Sequence, residues 1–224
     1  MKLTTVVKLS FSSFSLLRKV KTLGESTSPA ELVAISQGCP AIKSIQTTSE
    51  LVELANLVKE QRCKYLLEIG TYKGGTLFVF SQCSAEDATV MSLDYHFSLL
   101  GKLVRVFQGQ FFRRFVRRGQ KLILVRGDSH KPETLALIER SLQGNKLDFL
   151  FIDGDHRYEG VKQDFTMYSP LVRSGGMVAF HDVAQNSSSV QVGPFWQEVK
   201  AKYAHKEFIH EGSLGTLGIG VLWV

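Results

Sequence analysis

The sequence predicts an α/β protein with a doubly wound sheet, and three observations support this fold class. From residue 47 onward, short strand-like runs alternate with segments long enough to be crossover helices. These runs are continuously apolar, which is typical of parallel strands covered by helices on both faces. The two final runs lie too close together for a crossover helix, so they should pair antiparallel. We therefore expect one domain built on a mixed sheet.

The elements follow in order along the chain. A helix is predicted from "TTSELVELANLV", in which Thr47 and Glu50 have the spacing of a capping box. Five strands come next, and the tail supplies the antiparallel pair "KEFIHEG" and "LGIGVLWV". The segment Val183 to Pro194, directly after the fifth strand, is the best candidate for a mobile loop. The five strands are "KYLLEIG", "TVMSLD", "KLILVR", "LDFLFID" and "GGMVAFHD".

Composition narrows the protein class without choosing a function. The 224 residues are 44% hydrophobic, which is enough for one sizeable core, and the net charge of +6 favours anionic partners. Cys39, Cys63 and Cys83 form no C-x-x-C or zinc pattern, so neither a disulfide framework nor a structural zinc is expected and a reducing cytoplasm fits best. No run approaches the roughly 20 apolar residues that a membrane-spanning helix needs.

The first 45 residues are predicted to be a basic, amphipathic cap segment, and residues 46–224 the main domain. Residues 1–24 contain five basic residues and no acid. Their apolar positions follow a helical spacing, which suits a cap on the domain or a helix on a membrane surface. A transit peptide stays open as an alternative. The apolar positions are Val7, Phe11, Phe14, Leu17 and Val20.

Polar residues follow the ends of five consecutive predicted strands. Ligands of open α/β sheets bind beyond these carboxyl ends. The first strand also leads into a glycine-rich turn containing Gly70, Gly74 and Gly75, which would let a ligand approach the backbone. Helix capping alone does not require so many acids on one edge. We therefore predict a ligand site at this edge, with the acids Glu68, Asp94, Asp128, Asp153 and Asp182.

Two phosphate-binding patterns are absent. A dinucleotide fingerprint would need a glycine where Tyr72 stands, and a P-loop would need Lys and Ser or Thr where Thr76 and Leu77 follow Gly75. An acid-rich edge suits a different ligand, one that offers ribose hydroxyls, an amine and a positive centre.

At these positions the chain resembles the class I S-adenosylmethionine-dependent methyltransferases. "LLEIGTYKGGT" resembles their first motif, "SLDYH" their second strand with its ribose-binding acid, and "VRGDS" the segment beside the adenine. "FLFIDGDHRYEGVKQDF" with "LVRSGGMVAFHDV" resembles the subgroup of cephalosporin-hydroxylase-like, macrocin-type and catechol-type O-methyltransferases. The resemblance covers residues 46–224. It implies a Rossmann-like sheet of seven strands in the order 3-2-1-4-5-7-6, with strand 7 antiparallel.

The resemblance also implies S-adenosylmethionine as the cofactor. Glu68 would face its methionine amine, Asp94 would hold the ribose, and Asp128 with Ser129 would lie beside the adenine. The implied cofactor-binding residues are Glu68, Gly70, Thr71, Gly74, Asp94, Tyr95, Asp128, Ser129 and Asp153.

A metal site is predicted at the fourth and fifth strands. Neighbouring parallel strands lie about 4.8 Å apart, so Asp153 and Asp182 can share a small cation, Mg²⁺ or another divalent ion. Catechol-type relatives end the fifth strand with Asp and Asn, whereas Val183 follows Asp182 here, so His181 or water would complete the ligand set. His156 stands where those relatives use a catalytic lysine. We predict His156 and Asp153 as catalytic residues, with His156 a general base or, alternatively, a capping residue.

The predicted function is divalent-metal-assisted O-methylation of a small-molecule hydroxyl, on a sugar or natural product that could be anionic. A non-catalytic S-adenosylmethionine-binding or membrane-surface protein is the alternative, and a nucleotide-dependent oxidoreductase is less favoured because of Tyr72. The expected location is the cytoplasm, with membrane-surface association and homo-oligomerisation left open. Nucleic acid is not an expected partner.

A basic segment separates the second and third strands. Between His96 and Gly127 the chain has eight basic residues and no acid, interleaved with phenylalanines. It could be a crossover helix with a solvated basic face, a lid for an anionic substrate, or a patch for anionic lipid. RNA binding is less favoured because no RNA-binding module is evident. The basic residues are Lys102, Arg105, Arg113, Arg114, Arg117, Arg118, Lys121 and Arg126, and the phenylalanines are Phe107, Phe111, Phe112 and Phe115.

Overall fold

The computed structural model describes residues 15–95, 108–212 and 215–224 and contains a seven-stranded sheet in the order β3-β2-β1-β4-β5-β9-β6. Strands β1 to β5 are parallel, and β9 runs antiparallel to both β5 and β6. The predicted topology is confirmed, with β9 as the seventh strand of the sheet. The strands are β1 Tyr65–Ile69, β2 Thr89–Asp94, β3 Lys121–Arg126, β4 Leu147–Ile152, β5 Val172–His181, β6 Ala204–Phe208, β7 Glu211–Gly212, β8 Gly215–Thr216 and β9 Ile219–Trp223.

Helices cover both faces of this sheet, as its apolar strands require. Along β4, Phe149 and Phe151 point into one core, while Leu150 and Ile152 point into the other. This alternation follows from the two-residue period of a strand. Helices α1 to α3 pack on the first face and α4 to α6 on the second. The helices are α1 Pro29–Gly38, α2 Thr48–Glu60, α3 Gly75–Cys83, α4 Pro132–Leu142, α5 Tyr158–Tyr168 and α6 Val192–Lys200.

The N-terminal segment contributes to the first core. Leu32 of α1 is buried there, and Leu16, in a helical stretch at residues 15–20, is buried in the same core. Of the predicted apolar stripe, Leu17 and Val20 are partly buried. The other stripe positions, Val7, Phe11 and Phe14, lie outside the described residues. The division of the chain at residue 45 stays a prediction.

The capping box predicted at Thr47 and Glu50 is wrong. Thr47 makes no side-chain capping hydrogen bond. The buried carboxylate of Glu50 instead accepts hydrogen bonds from the backbone N–H groups of His210, at 2.9 Å, and Gly218, at 3.3 Å. Contacts with the C-terminal part of the chain therefore replace the local one, and they fix the β7–β8 hairpin against the start of α2.

In the described part of the basic segment, the phenylalanine side chains pack against the first core. Phe112 and Phe115 are fully buried, and Phe111 packs against the same core, while Arg113 and Arg114 are exposed. This pattern agrees with a crossover segment that has a basic outer face. The predictions for Lys102, Arg105 and Phe107 fall outside the described residues.

The three cysteines and the lengths of the helices bear on two further predictions. Cys39, Cys63 and Cys83 are buried, and no disulfide bond joins any of these three residues. Within residues 15–95, 108–212 and 215–224, no helix is both long enough and apolar enough to cross a membrane.

Candidate active site

A cavity of about 1080 Å³ opens at the carboxyl ends of β1 to β5. It lies beside the point where the strand order reverses, between β1 and β4, which is where open α/β sheets bind ligands. Its volume suits a nucleoside-sized ligand together with a small second molecule. The predicted site residues that line it are Gly70, Thr71, Asp94, Tyr95, Asp128, Ser129, Asp153, His156, His181 and Asp182.

The other two predicted residues, Glu68 and Gly74, are not among the residues that line the cavity. Glu68 is buried behind it, and its carboxylate accepts a hydrogen bond from the hydroxyl of Thr76 in α3. Burial raises the pKa of Glu68 to about 8, with a further contribution from the negative charge of Asp153. Gly74 adopts φ +85°, and a Cβ there would lie 2.4 Å from the ring of Phe112. Both residues therefore support the wall from behind.

Gly70 joins the ends of β1 and β4. It adopts φ +88°, and an added Cβ would lie only 2.1 Å from the carbonyl oxygen of Asp153. Any side chain at residue 70 would push the two strand ends apart. The glycine thus keeps Asp153 close to the turn that follows β1.

Four titratable side chains, Asp153, His156, His181 and Asp182, form an acid–histidine cluster at the ends of β4 and β5. The register pairs Ile152 with Phe180, which places Asp153 beside His181. His181 Nδ1 lies 3.1 Å from Asp153 Oδ1 and 3.3 Å from Asp182 Oδ1. His156 Nδ1 lies 2.6 Å from Asp182 Oδ2. These contacts join all four residues into one network.

The cluster balances its charges internally. Burial disfavours the charged form of His181, but the charges and hydrogen bonds of Asp153 and Asp182 outweigh it and raise its pKa to about 10. Burial would raise the pKa of Asp182, yet its hydrogen bonds with His156 and His181 hold it below the usual range. The hydrogen bond with Asp182 also raises the pKa of His156.

The same cluster could hold a metal ion. Asp153, His181 and Asp182 each offer one ligand atom, and these three atoms lie within 4.8 Å of one another. The two carboxylate oxygens suit Mg²⁺ or Mn²⁺, whereas the imidazole nitrogen is a ligand that transition-metal ions accept more readily than Mg²⁺ does. Because a ligating imidazole must be neutral, binding would displace a proton from His181. The residues present therefore fit a divalent cation.

Gln46 connects the N-terminal segment to this cluster. Its Nε2 donates a hydrogen bond of 2.6 Å to Asp153 Oδ2, and Gln37 Nε2 donates one of 3.0 Å to the Gln46 carbonyl. The Gln46 side chain is buried and lines the cavity. Sequence reasoning missed Gln46 because it belongs to no motif.

Residues 127–130 directly follow β3 and line the cavity; they form the β3 wall. Within it the backbone N–H of His130 donates to Asp128 Oδ1 at 3.0 Å. Tyr168 of α5 donates its hydroxyl to the Ser129 carbonyl at 2.8 Å, which fastens the wall to that helix. His130 lines the cavity but was not predicted, because "RGDSH" drew attention to its acid and serine.

The loop after β5 supplies the far side of the cavity through Gln185, Ser189 and Val190, and Leu217 joins them from the C-terminal region. This loop lies within the segment Val183 to Pro194 that was predicted to be mobile, although the end of that segment, from Val192, is the start of α6; its mobility stays a prediction. Its backbone is bonded to the C-terminal region by Ala184 N to Leu217 O, at 2.9 Å. The sequence indicated a loop here, but it gave no sign of the backbone hydrogen bond to Leu217.

The fold and the acidic cavity define the class of this protein: a doubly wound α/β protein with a cavity at the strand-order reversal. A family model described as a methyltransferase domain matches residues 67–183, more than half of the chain. The chain belongs to this methyltransferase-domain family. The match runs from within β1 to just beyond β5 and so includes the acid–histidine cluster and the β3 wall.

Two curated relatives are similar to this chain. The uncharacterized protein R132 of Acanthamoeba polyphaga mimivirus is 28% identical over 67% of this chain and 65% of its own length. The uncharacterized protein y4gI of Sinorhizobium fredii is 26% identical over 72% of this chain, but over only 18% of its own length. The chain thus spans less than two thirds of either relative.

Solved structures share the fold at low identity. The O-methyltransferase TomG of Streptomyces achromogenes, in complex with SAM, has a TM-score of 0.63 and 16% identity over 100% of this chain and 99% of its own. The O-methyltransferase of Bacillus cereus, in complex with SAH, has a TM-score of 0.62 and 17% identity over 97% and 91%. MycE, a methyltransferase of mycinamycin biosynthesis solved with Mg, SAH and mycinamycin VI, has a TM-score of 0.56 and 15% identity over 89% and 55%.

Proposed function

We propose that this protein is an S-adenosylmethionine-dependent O-methyltransferase that acts on a hydroxyl group of a small molecule. One observation carries the proposal: a single cavity of about 1080 Å³ joins a glycine turn and strand-end acids suited to an adenosyl group with a cluster of acids and histidines suited to hydroxyl chemistry. Methyltransferase-domain membership and the structural neighbours solved with SAM or SAH support the same activity.

The cofactor would lie across the ends of β1, β2 and β3. Asp94 ends β2 and would accept hydrogen bonds from the ribose hydroxyls. Asp128 and Ser129 would lie at the adenine, and Gly70 with Thr71 would admit the methionine part beside β1. Glu68 would act indirectly, by holding Thr76 and the start of α3.

The acceptor hydroxyl would lie at the acid–histidine cluster. His156 Nδ1 donates to Asp182, so in the neutral ring Nε2 carries the lone pair and can accept the hydroxyl proton. The hydroxyl oxygen then forms its bond to the methyl carbon as the bond from that carbon to sulfur breaks. Asp182 stabilises the imidazolium that results, while the cavity walls hold the reacting groups in line.

A divalent cation would be held by Asp153, His181 and Asp182, whose three ligand atoms fit one. When bound, it would supply Lewis acidity that lowers the pKa of the acceptor hydroxyl. The MycE structure with Mg supports this finer proposal by analogy of fold. Metal-independent transfer is the second candidate, because the hydrogen bond between His156 and Asp182 already forms a base with its orienting acid.

The acceptor is proposed to be small because it must share the cavity with the cofactor. Ile45 and Tyr72 expose large apolar surfaces in the cavity lining and would suit the carbon skeleton of a sugar or natural product. Lys73, also in the lining, would suit an anionic acceptor. A cytoplasmic location and the contacts with membranes or other copies of the chain stay predictions.

The test is to incubate the protein with S-adenosylmethionine and panels of hydroxyl-bearing sugars and phenols, and to measure S-adenosylhomocysteine formation. Each panel is run with EDTA and with added Mg²⁺ or Mn²⁺. We expect acceptor-dependent formation that the His156→Gln variant greatly reduces. Activity unaffected by EDTA would remove the metal part and leave methyl transfer standing. Methylation of amino groups alone would contradict the O-methyltransferase assignment.

A further inference from the structure

We propose that His130 and the buried Asp164 form an ion pair that positions the β3 wall, and that the affinity of the cavity for an adenosyl ligand depends on this pair. His130 is a positioning residue in this proposal, since it would act through the wall. The inference rests on the proposed function, because the ligand is the nucleoside part of S-adenosylmethionine or S-adenosylhomocysteine.

Asp164 needs a positive partner. Its side chain lies on α5 and is fully buried, and neither carboxylate oxygen has a hydrogen-bond partner among the described residues. A buried carboxylate left in this way is costly unless a charge compensates it. His130 Nε2 lies 3.3 Å from Asp164 Oδ1, within ion-pair distance. His130 is thus the group that can supply the compensating charge.

The contacts of His130 fix where its proton lies. Nε2 faces Asp164 Oδ1 and also the Gly160 carbonyl oxygen, at 3.2 Å. Both atoms are acceptors, so Nε2 must carry hydrogen whatever the charge of the ring. Gain or loss of charge therefore occurs at Nδ1. The side chain, one fifth exposed, also lines the cavity.

The surroundings of His130 favour its charged form. The contact with Asp164 is the largest influence and raises the pKa of His130, while partial burial works against it. Two further acids raise the pKa of His130: Asp128 in its own loop and Asp155 in the turn before α5. The ring therefore carries its charge over a wider pH range than a free histidine.

This pair belongs to a set of contacts that ties the β3 wall to α5. Gln163 Nε2 donates to the His130 carbonyl at 3.2 Å, next to the Tyr168 contact with Ser129. If His130 loses its charge, Asp164 is left buried and uncompensated, and the α5 side of these contacts is destabilised. The wall that presents Asp128 and Ser129 to the cavity would then be held less well.

The experiment measures the dissociation constant of S-adenosylhomocysteine by calorimetry between pH 6 and pH 9. The full chain, Asp164→Asn and His130→Gln are compared. We expect the affinity of the unchanged protein to fall as pH rises through the His130 pKa. Both variants should bind about tenfold more weakly at pH 7, the lower end of what a contact with a charged group contributes, and should lack this pH step. The double variant should bind no more weakly than either single variant.

The matched control is Glu53→Gln, which removes the charge from a histidine–carboxylate contact of 2.9 Å between the exposed side chains of residue 53 and His210. It should leave both the affinity and the pH step unchanged. Should Asp164→Asn fail to unfold cooperatively, His130→Gln decides the question. Unaltered affinity and pH dependence in His130→Gln would overturn the inference and spare the proposed function. Failure of the unchanged protein to bind S-adenosylhomocysteine would overturn both.

Discussion

At the ends of β4 and β5 four titratable side chains contact one another within the cavity, whereas at the β3 wall a histidine reaches away from the cavity to an acid on α5. In the acid–histidine cluster each charge is balanced by a neighbour that also lines the cavity. At the β3 wall the balancing carboxylate of Asp164 is buried in the helical layer. Changes in the cluster should therefore alter chemistry, and changes at the β3 wall should alter ligand binding.

The largest effect is expected from Asp182→Asn. This change removes the charge that orients His156, so methyl transfer should fall by about 100-fold or more, while S-adenosylhomocysteine still binds. Initial rates and calorimetry on the same preparation measure the two properties separately. Asp87→Asn, at an exposed ion pair with Lys64, is the control that should leave the rate unchanged. Parallel losses of rate and nucleoside affinity would contradict this division of roles between the acid–histidine cluster and the β3 wall.

The second prediction concerns the glycine that joins β1 to the cluster. Gly70→Ala should lower the free energy of unfolding by about 2–4 kcal/mol, because it combines a positive φ with a contact against the Asp153 backbone. Gly144→Ala is matched to it, with φ +83° and no heavy atom within 4 Å of the added Cβ. That variant should lose only about 1 kcal/mol. Urea unfolding of both variants checks this, and equal losses would show that the close approach of residue 70 to Asp153 contributes little.

A smaller effect is expected at Gln46. Gln46→Leu removes the hydrogen bond to Asp153 and should reduce methyl transfer about tenfold. Gln37→Leu removes the hydrogen bond to the Gln46 carbonyl but keeps the contact between Gln46 and Asp153, so it should have less effect. Comparison of kcat and KM for the two variants is the measurement. If Gln37→Leu lowers activity more than Gln46→Leu does, the placement of residues 37–46 matters for activity and the hydrogen bond from Gln46 to Asp153 does not.

The last expected effect is on the pH dependence of stability. The folded-state pKa of Glu68, about 8, lies above the unfolded value of 4.5, so the folded protein binds more protons between these values. Glu68 therefore makes stability fall as pH rises from about 4.5 to 8. Glu68→Gln should remove this component. The difference between urea-unfolding curves of the two proteins at pH 5 to 9 isolates it, and a constant difference would contradict the raised pKa.

Much of the fold followed from the sequence because local signals and global fold agree. Five apolar runs with polar ends specified the parallel strands, and the short link between the last two runs specified the antiparallel pair. The proximity of Asp153 and Asp182, two candidate metal ligands, was predicted from the spacing of neighbouring strands alone. Such predictions hold because the ends of adjacent strands lie side by side, independently of the conformation of the loops that follow them.

The missed features depend on contacts between distant parts of the chain. Gln46 meets Asp153 across 107 positions, and His130 meets Asp164 of a helix on the next crossover. Glu50 has the local spacing of a capping residue, yet it binds the backbone of residue 210, 160 positions away. No periodicity or motif marks such pairs, because each partner looks ordinary in its own segment.

The proposed function requires that this cavity bind an adenosyl sulfonium through the acid that ends β2. The decisive measurement is calorimetry with S-adenosylhomocysteine on the unchanged protein and on Asp94→Ala, with NADH as the competing ligand. We expect binding that Asp94→Ala weakens at least about tenfold, and no binding of NADH. Binding of NADH, or an S-adenosylhomocysteine affinity that is the same in Asp94→Ala as in the unchanged protein, would overturn the proposed cofactor site.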